Sequence, residues 1–178
     1  MISTRRQFLA MAASLPPGLV VMAGQSDEKA VRAAVTRFFS LLRGGRYREL
    51  HELLPSSFRS QTTPEEMERS LRRLGEFIRL ESLTIGEVRL EGEVAVAETT
   101  ITGRLMRQLP TRPAGEPSAR PAAGVGRGRV IAWQYLVREA GRWRVASADN
   151  RSQQLFFQRH PGIREKLAVP GPRFEVVR

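Results

Sequence analysis

Hydrophobic residues recur at helical spacing in the first part of the chain. From Val31 to Leu42 they fall three or four positions apart, and Gly44 and Gly45 end the pattern. Ser26 precedes this stretch and is followed by two acidic residues, which is typical of a helix N-terminus. We therefore predict a helix that begins at Ser26 and ends at the two glycines.

Two shorter helices are predicted after the first one. The segment from Arg46 forms a second helix, with Tyr47 and His51 one turn apart on the same side. Pro64 suits the first position of a third helix, and the sequence Thr-Pro-Glu-Glu over 63–66 supplies a capping box. The chain is thus predicted to be helical up to about residue 76.

The spacing then changes from helical to alternating. Residues 77–90 are predicted to form a strand, 91–93 a turn and 94–106 a second, longer strand. In the second strand Glu98 and two threonines stand an even number of positions from Val94, so they are expected on the same face as this valine. This pattern predicts either a bulge or a sheet face that is only partly buried.

Both tryptophans fall in a predicted hairpin over residues 130–149. The sequence Glu-Ala-Gly over 139–141 suits a three-residue loop closed by a left-handed glycine. Such a loop places five large residues on one buried face, which continues into Ser147 and Asp149 and turns polar there. The five are Trp133, Tyr135, Val137, Trp143 and Val145. We expect a concave sheet with a candidate pocket and a polar rim.

Residues 108–128, between the predicted strands, are rich in proline and glycine and have no apolar periodicity. They predict a long flexible loop. Gly124, Gly126 and Gly128 resemble a phosphate-binding loop, but a strand follows them where such a loop needs a helix.

Residues 152–178 form a C-terminal extension. Three apolar residues, Leu155, Phe156 and Phe157, are expected to cover a sheet edge. Pro161 suits the start of one more helical turn, and an edge strand is expected from Phe174.

Residues 1–24 have the pattern of an export signal. A basic start, an apolar middle and small final residues predict cleavage after Ala23. The stretch around Arg5 and Arg6 resembles a twin-arginine signal, whereas Ala10 stands where lysine is common, so an ordinary secretory signal stays open. The apolar part is too short and interrupted to span a membrane. We predict an exported protein, periplasmic or extracellular, that engages the twin-arginine export machinery and keeps no membrane span after processing.

Composition narrows the chemistry. The chain of 178 residues fits one domain, predicted over 25–151, and it contains no cysteine, which excludes disulfides and thiolate chemistry. Its net charge of +11 comes from arginines spread along the chain without a nucleic-acid-binding motif. The two histidines, His51 and His160, lack the spacing of metal ligands. The sequence therefore argues against nucleic acid as a partner and gives no indication of a metal or organic cofactor.

The order of elements resembles the nuclear transport factor 2-like superfamily, which includes SnoaL-like polyketide cyclases and ketosteroid isomerase. The resemblance covers about 26–150 and is carried mainly by 38–54 and 133–149. It implies an α+β fold in which a curved antiparallel sheet wraps on three helices and forms a cone with an apolar cavity. Homodimers through the outer sheet face are common in that superfamily.

Catalytic residues of the superfamily match this chain poorly. Ketosteroid isomerases place a tyrosine and two aspartates in the cone, whereas here only Asp149 matches a sheet carboxylate. Phe38 and Phe39 stand near the position where related enzymes often carry tyrosine. The resemblance therefore favours binding over catalysis.

Seven residues are candidates for a site, and each also has a structural interpretation. Asp149 in an apolar cone would act as a general acid or base, or else would cap a turn. The others are candidates for ligand binding, or alternatively for core packing or a wet helix edge: Tyr47, His51, Trp133, Tyr135, Trp143 and Ser147.

Three functions remain open at this point. The first is an exported protein that binds a small apolar molecule or a peptide without turning it over. The second is an enzyme of the cyclase, isomerase or dehydratase type that uses Asp149. The third is a structural or dimer-forming interaction domain.

Overall fold

The computed structural model describes residues 18–105, 126–146 and 150–177. Some residues within these ranges, such as 18–24, are described by their backbone alone. No helix in this part of the chain is long and apolar enough to cross a membrane.

Several predictions concern residues outside the described ranges. They are the signal pattern with Arg5 and Arg6, most of the 108–128 loop, and the candidate site residues Ser147 and Asp149. These stay predictions.

Among the described residues, four helical segments come before the sheet in the chain. They are α1 (Gly18–Arg43), α2 (Tyr47–Glu52), α3 (Ser56–Arg59) and α4 (Pro64–Phe77). The prediction that α1 begins at Ser26 is wrong, because Ser26 lies inside a helix that starts at Gly18, directly after a Pro-Pro pair in the sequence. No proline interrupts the chain between Gly18 and Ser26, and extending an existing helix costs little free energy.

The predicted helix boundaries at 43 and 64 are confirmed. Gly45 follows the end of α1 with φ of +67°, a conformation that favours glycine. At the start of α4, the Glu66 N–H donates to Thr63 Oγ1 at 3.2 Å, and the Thr63 N–H donates to Glu66 Oε2 at 3.0 Å. These two bonds form the expected capping box.

In the described part of the chain, five strands form one antiparallel sheet. They are β1 (Ile78–Glu91), β2 (Val94–Leu105), β3 (Arg127–Glu139), β4 (Arg142–Ala146) and β5 (Arg173–Val177). The order is β1-β2-β3-β4, and β5 also pairs with β3. Two short helices, α5 (Asn150–Arg159) and α6 (Ile163–Lys166), lie between β4 and β5 in the chain. The α+β class with helices followed by an antiparallel sheet is therefore confirmed.

One edge of β3 is shared by two strands. β2 pairs along nearly the whole of β3, β4 pairs with 135–139, and β5 pairs with 127–131. Since β2 takes one edge, β4 and β5 lie side by side along the other. Residues 132–134 fall between these two described pairings, and residues 147–149, which follow β4 in the chain, lie outside the described ranges.

The hairpin between β3 and β4 is tighter than predicted. Glu139 pairs with Arg142 across a two-residue turn, Ala140 and Gly141, with φ of 48° and 73°. Two successive positive φ angles are typical of a type I′ turn, whose twist matches that of the strands. The three-residue loop expected from the sequence is therefore wrong by one residue.

This change of register divides the five residues that were predicted to share a face. Trp143 now pairs with Arg138, and Tyr135 with Ala146. Trp143 and Val145 consequently lie on one face, and Trp133, Tyr135 and Val137 lie on the opposite face, because a one-residue shift reverses every side chain of a strand.

The inner face of the sheet packs towards the N-terminal helices. Ala95, Ala97, Leu136 and Val145 are buried on this face. Arg138, also on it, forms an ion pair with Asp27 of α1 at 3.2 Å.

The outer face is partly covered by residues 150–177, called here the C-terminal segment. The Tyr135 ring lies 5.0 Å from the rings of Phe156 and of Phe157 of α5. Arg89 lies 4.6 Å above the Trp133 ring and donates to the carbonyls of Leu167 and Ala168. The two phenylalanines thus cover the outer face at this point.

The C-terminal strand and the uneven burial of β2 were predicted correctly. β5 is the expected edge strand. Val94 and Val96 are buried, whereas Glu98 and Thr100 on the same face are half-buried, and β2 pairs with β3 without a register shift. The partly buried face is therefore confirmed for β2, and the bulges lie in β1, near Ser82 and Val88.

Candidate functional site

The N-terminal helices and the inner face of the sheet line a partly open cavity of about 1450 Å³. Helices α1, α2 and α4 supply one wall, and strands β1, β2 and β3 contribute the other. The described part of its lining is mostly apolar, and includes Phe38, Phe39, Leu50, Met67, Ile101 and Val130. Such a surface suits a largely apolar guest molecule.

The cavity extends along residues 132–135 of β3. Trp133 and Tyr135 belong to the outer face by register, yet both line the cavity. Leu155 of α5 and Val169, which follows α6, line it as well. The C-terminal segment therefore contributes to one side of the cavity.

Gln134 is the most deeply buried polar side chain in the described lining. Only 1% of its surface is exposed. Its Nε2 donates to Thr99 Oγ1 at 3.1 Å, and Thr99 Oγ1 donates in turn to the Ala132 carbonyl at 2.8 Å. Gln134 Oε1 is buried and has no hydrogen-bond partner in the described structure.

Gln134 was not among the residues predicted for the site. One signal was present, because this amide is the single strongly polar residue within the apolar stretch 130–137. A buried amide in such a stretch must find partners or cost free energy, and it therefore merits attention as a candidate site residue.

Tyr47 and His51 lie on the same helix but in different environments. Tyr47 is half-buried and lines the cavity. His51 is buried outside the described lining, and its Nε2 lies 2.7 Å from the Thr62 carbonyl. Because a carbonyl only accepts, His51 donates from Nε2, and this bond holds the 60–63 connection against α2.

The three candidate aromatic residues are also divided. Trp133 and Tyr135 line the cavity, whereas Trp143 does not belong to its described lining and has Arg138 5.9 Å from its ring centroid. Burial raises the pKa of Tyr135, and this effect exceeds the opposite effect of Arg164. Tyr135 is thus a neutral phenol at physiological pH.

Charged groups occur at the border of the cavity. The described lining contains the cations Arg43, Arg79 and Arg164 and one carboxylate, Glu66. The backbone N–H of Thr63 holds the pKa of Glu66 below its usual value, since this bond favours the ionised carboxylate. Glu66 is therefore occupied in capping α4.

Within the described lining, no buried carboxylate or histidine is placed to move a proton, and the described residues contain no cluster of three or more histidine and acidic side chains suited to a metal ion. The roles of Ser147 and Asp149 are untested, since both lie outside the described residues.

Comparisons with known proteins identify no family. No family model matches the sequence, and no curated protein does.

Solved structures with a similar arrangement do exist. A candidate dehydratase of the nuclear transport factor 2-like (NTF2-like) family from Streptomyces avermitilis is 15% identical over 68% of this chain and 92% of its own, with a TM-score of 0.47. An NTF2-like protein with a cystatin-like fold from Novosphingobium aromaticivorans is 14% identical over 81% of this chain and 97% of its own, with a TM-score of 0.44. TsrD from Streptomyces laurentii is 25% identical over 64% of this chain and 84% of its own, with a TM-score of 0.42. At TM-scores below 0.5, these similarities assign no function to this chain.

Proposed function

We propose that this protein binds a small, largely apolar molecule in the cavity between its helices and its sheet, without turning it over. The signal pattern of residues 1–24 further supports a role outside the cytoplasm. The order of helices followed by an antiparallel sheet is what the resemblance to the nuclear transport factor 2-like superfamily implies.

The cavity is the observation that carries this proposal. Its volume of about 1450 Å³ has room for a molecule of several fused rings. Phe38, Leu50 and Met67 contribute to its wall, and their apolar surface favours a guest that leaves water on binding. The charged side chains lie where the cavity meets the surface, so they do not oppose such a guest inside.

Binding of pyrene, a neutral and fluorescent hydrocarbon, tests the proposal. Fluorescence titration of the wild-type protein should give saturable binding with one site per chain. Ala132 lines the cavity from β3, so an Ala132→Trp substitution should fill part of the space. We expect it to weaken pyrene binding at least about tenfold, as removal of a buried apolar contact surface would.

Ala33→Trp is the matched control. Ala33 is exposed on α1, so the same enlargement there should leave pyrene binding unchanged. If wild-type protein does not bind pyrene, or if both variants bind it as well as wild type, the cavity is not a binding site for apolar molecules.

A further inference from the structure

Strand β5 carries two exposed apolar side chains. All residues from 171 to 176 are exposed, and the exposed fractions of Phe174 and Val176 reach 74% and 69%. Among the described side chains, only these two large hydrophobic ones are exposed. Neighbouring apolar side chains that stay in water on one strand are typical of an interaction surface.

One edge of β5 has no partner strand in the described part of the chain. β5 pairs there with β3 alone, along residues 127–131. Beyond this pairing, the described residues give the backbone of β5 no further hydrogen bond. An exposed strand edge with unpaired N–H and C=O groups is a template for a further strand.

The side chains of β5 alternate between apolar and charged. Phe174 pairs with Val130, which lies on the inner face of the sheet, so Phe174 and Val176 lie on that face as well. Arg173 and Glu175 lie on the outer face. The strand therefore has an apolar side and a side with one positive and one negative charge.

This pattern is complementary to a second copy of itself. When two β5 strands pair antiparallel about a twofold axis at Phe174, Arg173 of each copy stands opposite Glu175 of the other. The two Phe174 rings then lie side by side on the inner face. An axis at Glu175 would instead place two glutamates opposite each other, which is unfavourable. The charges therefore favour one register.

We infer that the unpaired edge of β5 binds the same edge of a second copy of this chain, which joins the two sheets in a homodimer. The interface is the strand edge, and not the outer face of the sheet that the resemblance implies. Since Phe174 lines the cavity, Phe174 of the second copy lies beside the cavity rim. The inference does not depend on the proposed function.

Sedimentation velocity of the purified protein measures this dimer. Over a range from about 1 to 100 µM, the wild type should change from monomer to dimer. We expect a dissociation constant on the order of 10 µM, because two five-residue strands bury a small interface.

Charge reversal tests the register. Arg173→Glu places glutamates opposite glutamates, and Glu175→Arg places arginines opposite arginines, so each variant alone should dimerise at least about tenfold more weakly. In an equimolar mixture of the two variants, opposite charges face each other again at both positions. The mixture should therefore form a heterodimer about as readily as the wild type forms its homodimer.

Arg59→Glu and Glu76→Arg are the matched controls. Both residues are exposed on helices, and each substitution makes the same change in charge away from β5, so the dissociation constant should stay unchanged. Glu175→Arg also removes an ion pair with Arg129 at 3.5 Å, but both side chains are about half exposed and the pair contributes little to stability. Circular dichroism establishes that each variant is folded.

Three results would overturn the inference. The first is a wild type that stays monomeric at about 100 µM. The second is a dimer that both charge reversals leave intact, because it would form through another surface. The third is a mixture of the two variants that stays monomeric. Pyrene binding is measured separately, so none of these results decides the proposed function.

Discussion

At the scale of single residues, Ala140 and Gly141 decide which side chains of the hairpin face the helices. Both have positive φ, and together they close a two-residue turn. One more residue in this loop would exchange the two faces of β4, so that Trp143 and Val145 would leave the inner face. An alanine at positive φ is strained, whereas glycine and asparagine adopt this conformation readily.

Ala140→Asn should therefore stabilise the protein. Ala140 is exposed, so the substitution loses no packing, and we expect the free energy of unfolding to rise by about 0.5–1 kcal/mol. Urea unfolding followed by circular dichroism measures the change. Gly141→Ala, with φ of 73° at the same turn, should lower stability, and a stabilised Gly141→Ala would contradict the type I′ turn.

At the scale of elements, the C-terminal segment acts as a cover for the outer face of the sheet. The rings of Phe156, Phe157 and Tyr135 form one cluster, with centroids 5.0 to 5.4 Å apart. Arg164 lies 4.4 Å above the Phe157 ring. These contacts attach α5 to β3 and place Leu155 beside the cavity.

Phe156→Ala should destabilise the protein by about 3 kcal/mol, because Phe156 is 3% exposed and its loss leaves a cavity under α5. Gln158→Ala is the control on the same helix, where Gln158 is exposed and the change should stay within about 0.5 kcal/mol. Thermal unfolding compares the two variants. Equal effects would show that α5 does not depend on the outer face.

His160 should make this cover sensitive to acid. Burial, with a smaller contribution from Arg159, lowers the pKa of His160 below its ordinary value of 6.5, so the folded state resists protonation. The stabilisation from neutral His160 is therefore complete above about pH 6.5 and is lost as the pH falls through the lower folded-state pKa.

His160→Phe keeps a ring near Phe156, whose centroid lies 5.0 Å from that of His160, but does not titrate. Unfolding free energies at about pH 7.5 and about pH 5 should differ less in this variant than in wild type. An identical difference in both proteins would contradict the assignment.

At the scale of the whole molecule, periodicity in the sequence predicted the architecture well. Three features were predicted from local sequence patterns and are present in the structure. They are the end of α1, the capping box at Thr63 and the edge strand β5. The sequence did not predict correctly which side chains of the β3–β4 hairpin share a face. The register of this hairpin depends on an alanine in a conformation that alanine disfavours. Gln134 was missed because the alternation of apolar residues gives no hint of where a lone amide finds its partners. The predicted roles of Tyr47 and Trp133 in ligand binding remain predictions, although both residues line the cavity.

Native mass spectrometry of wild type and of Ala132→Trp, each equilibrated with pyrene, tests the central claim most directly. It counts bound molecules per chain, and in protein purified from its native source it also detects any molecule retained in the cavity. We expect one pyrene per wild-type chain and clearly lower occupancy of the variant, because the cavity is the site and the substitution should weaken binding at least about tenfold. Equal occupancy of both proteins, or no occupancy of wild type, would contradict the account.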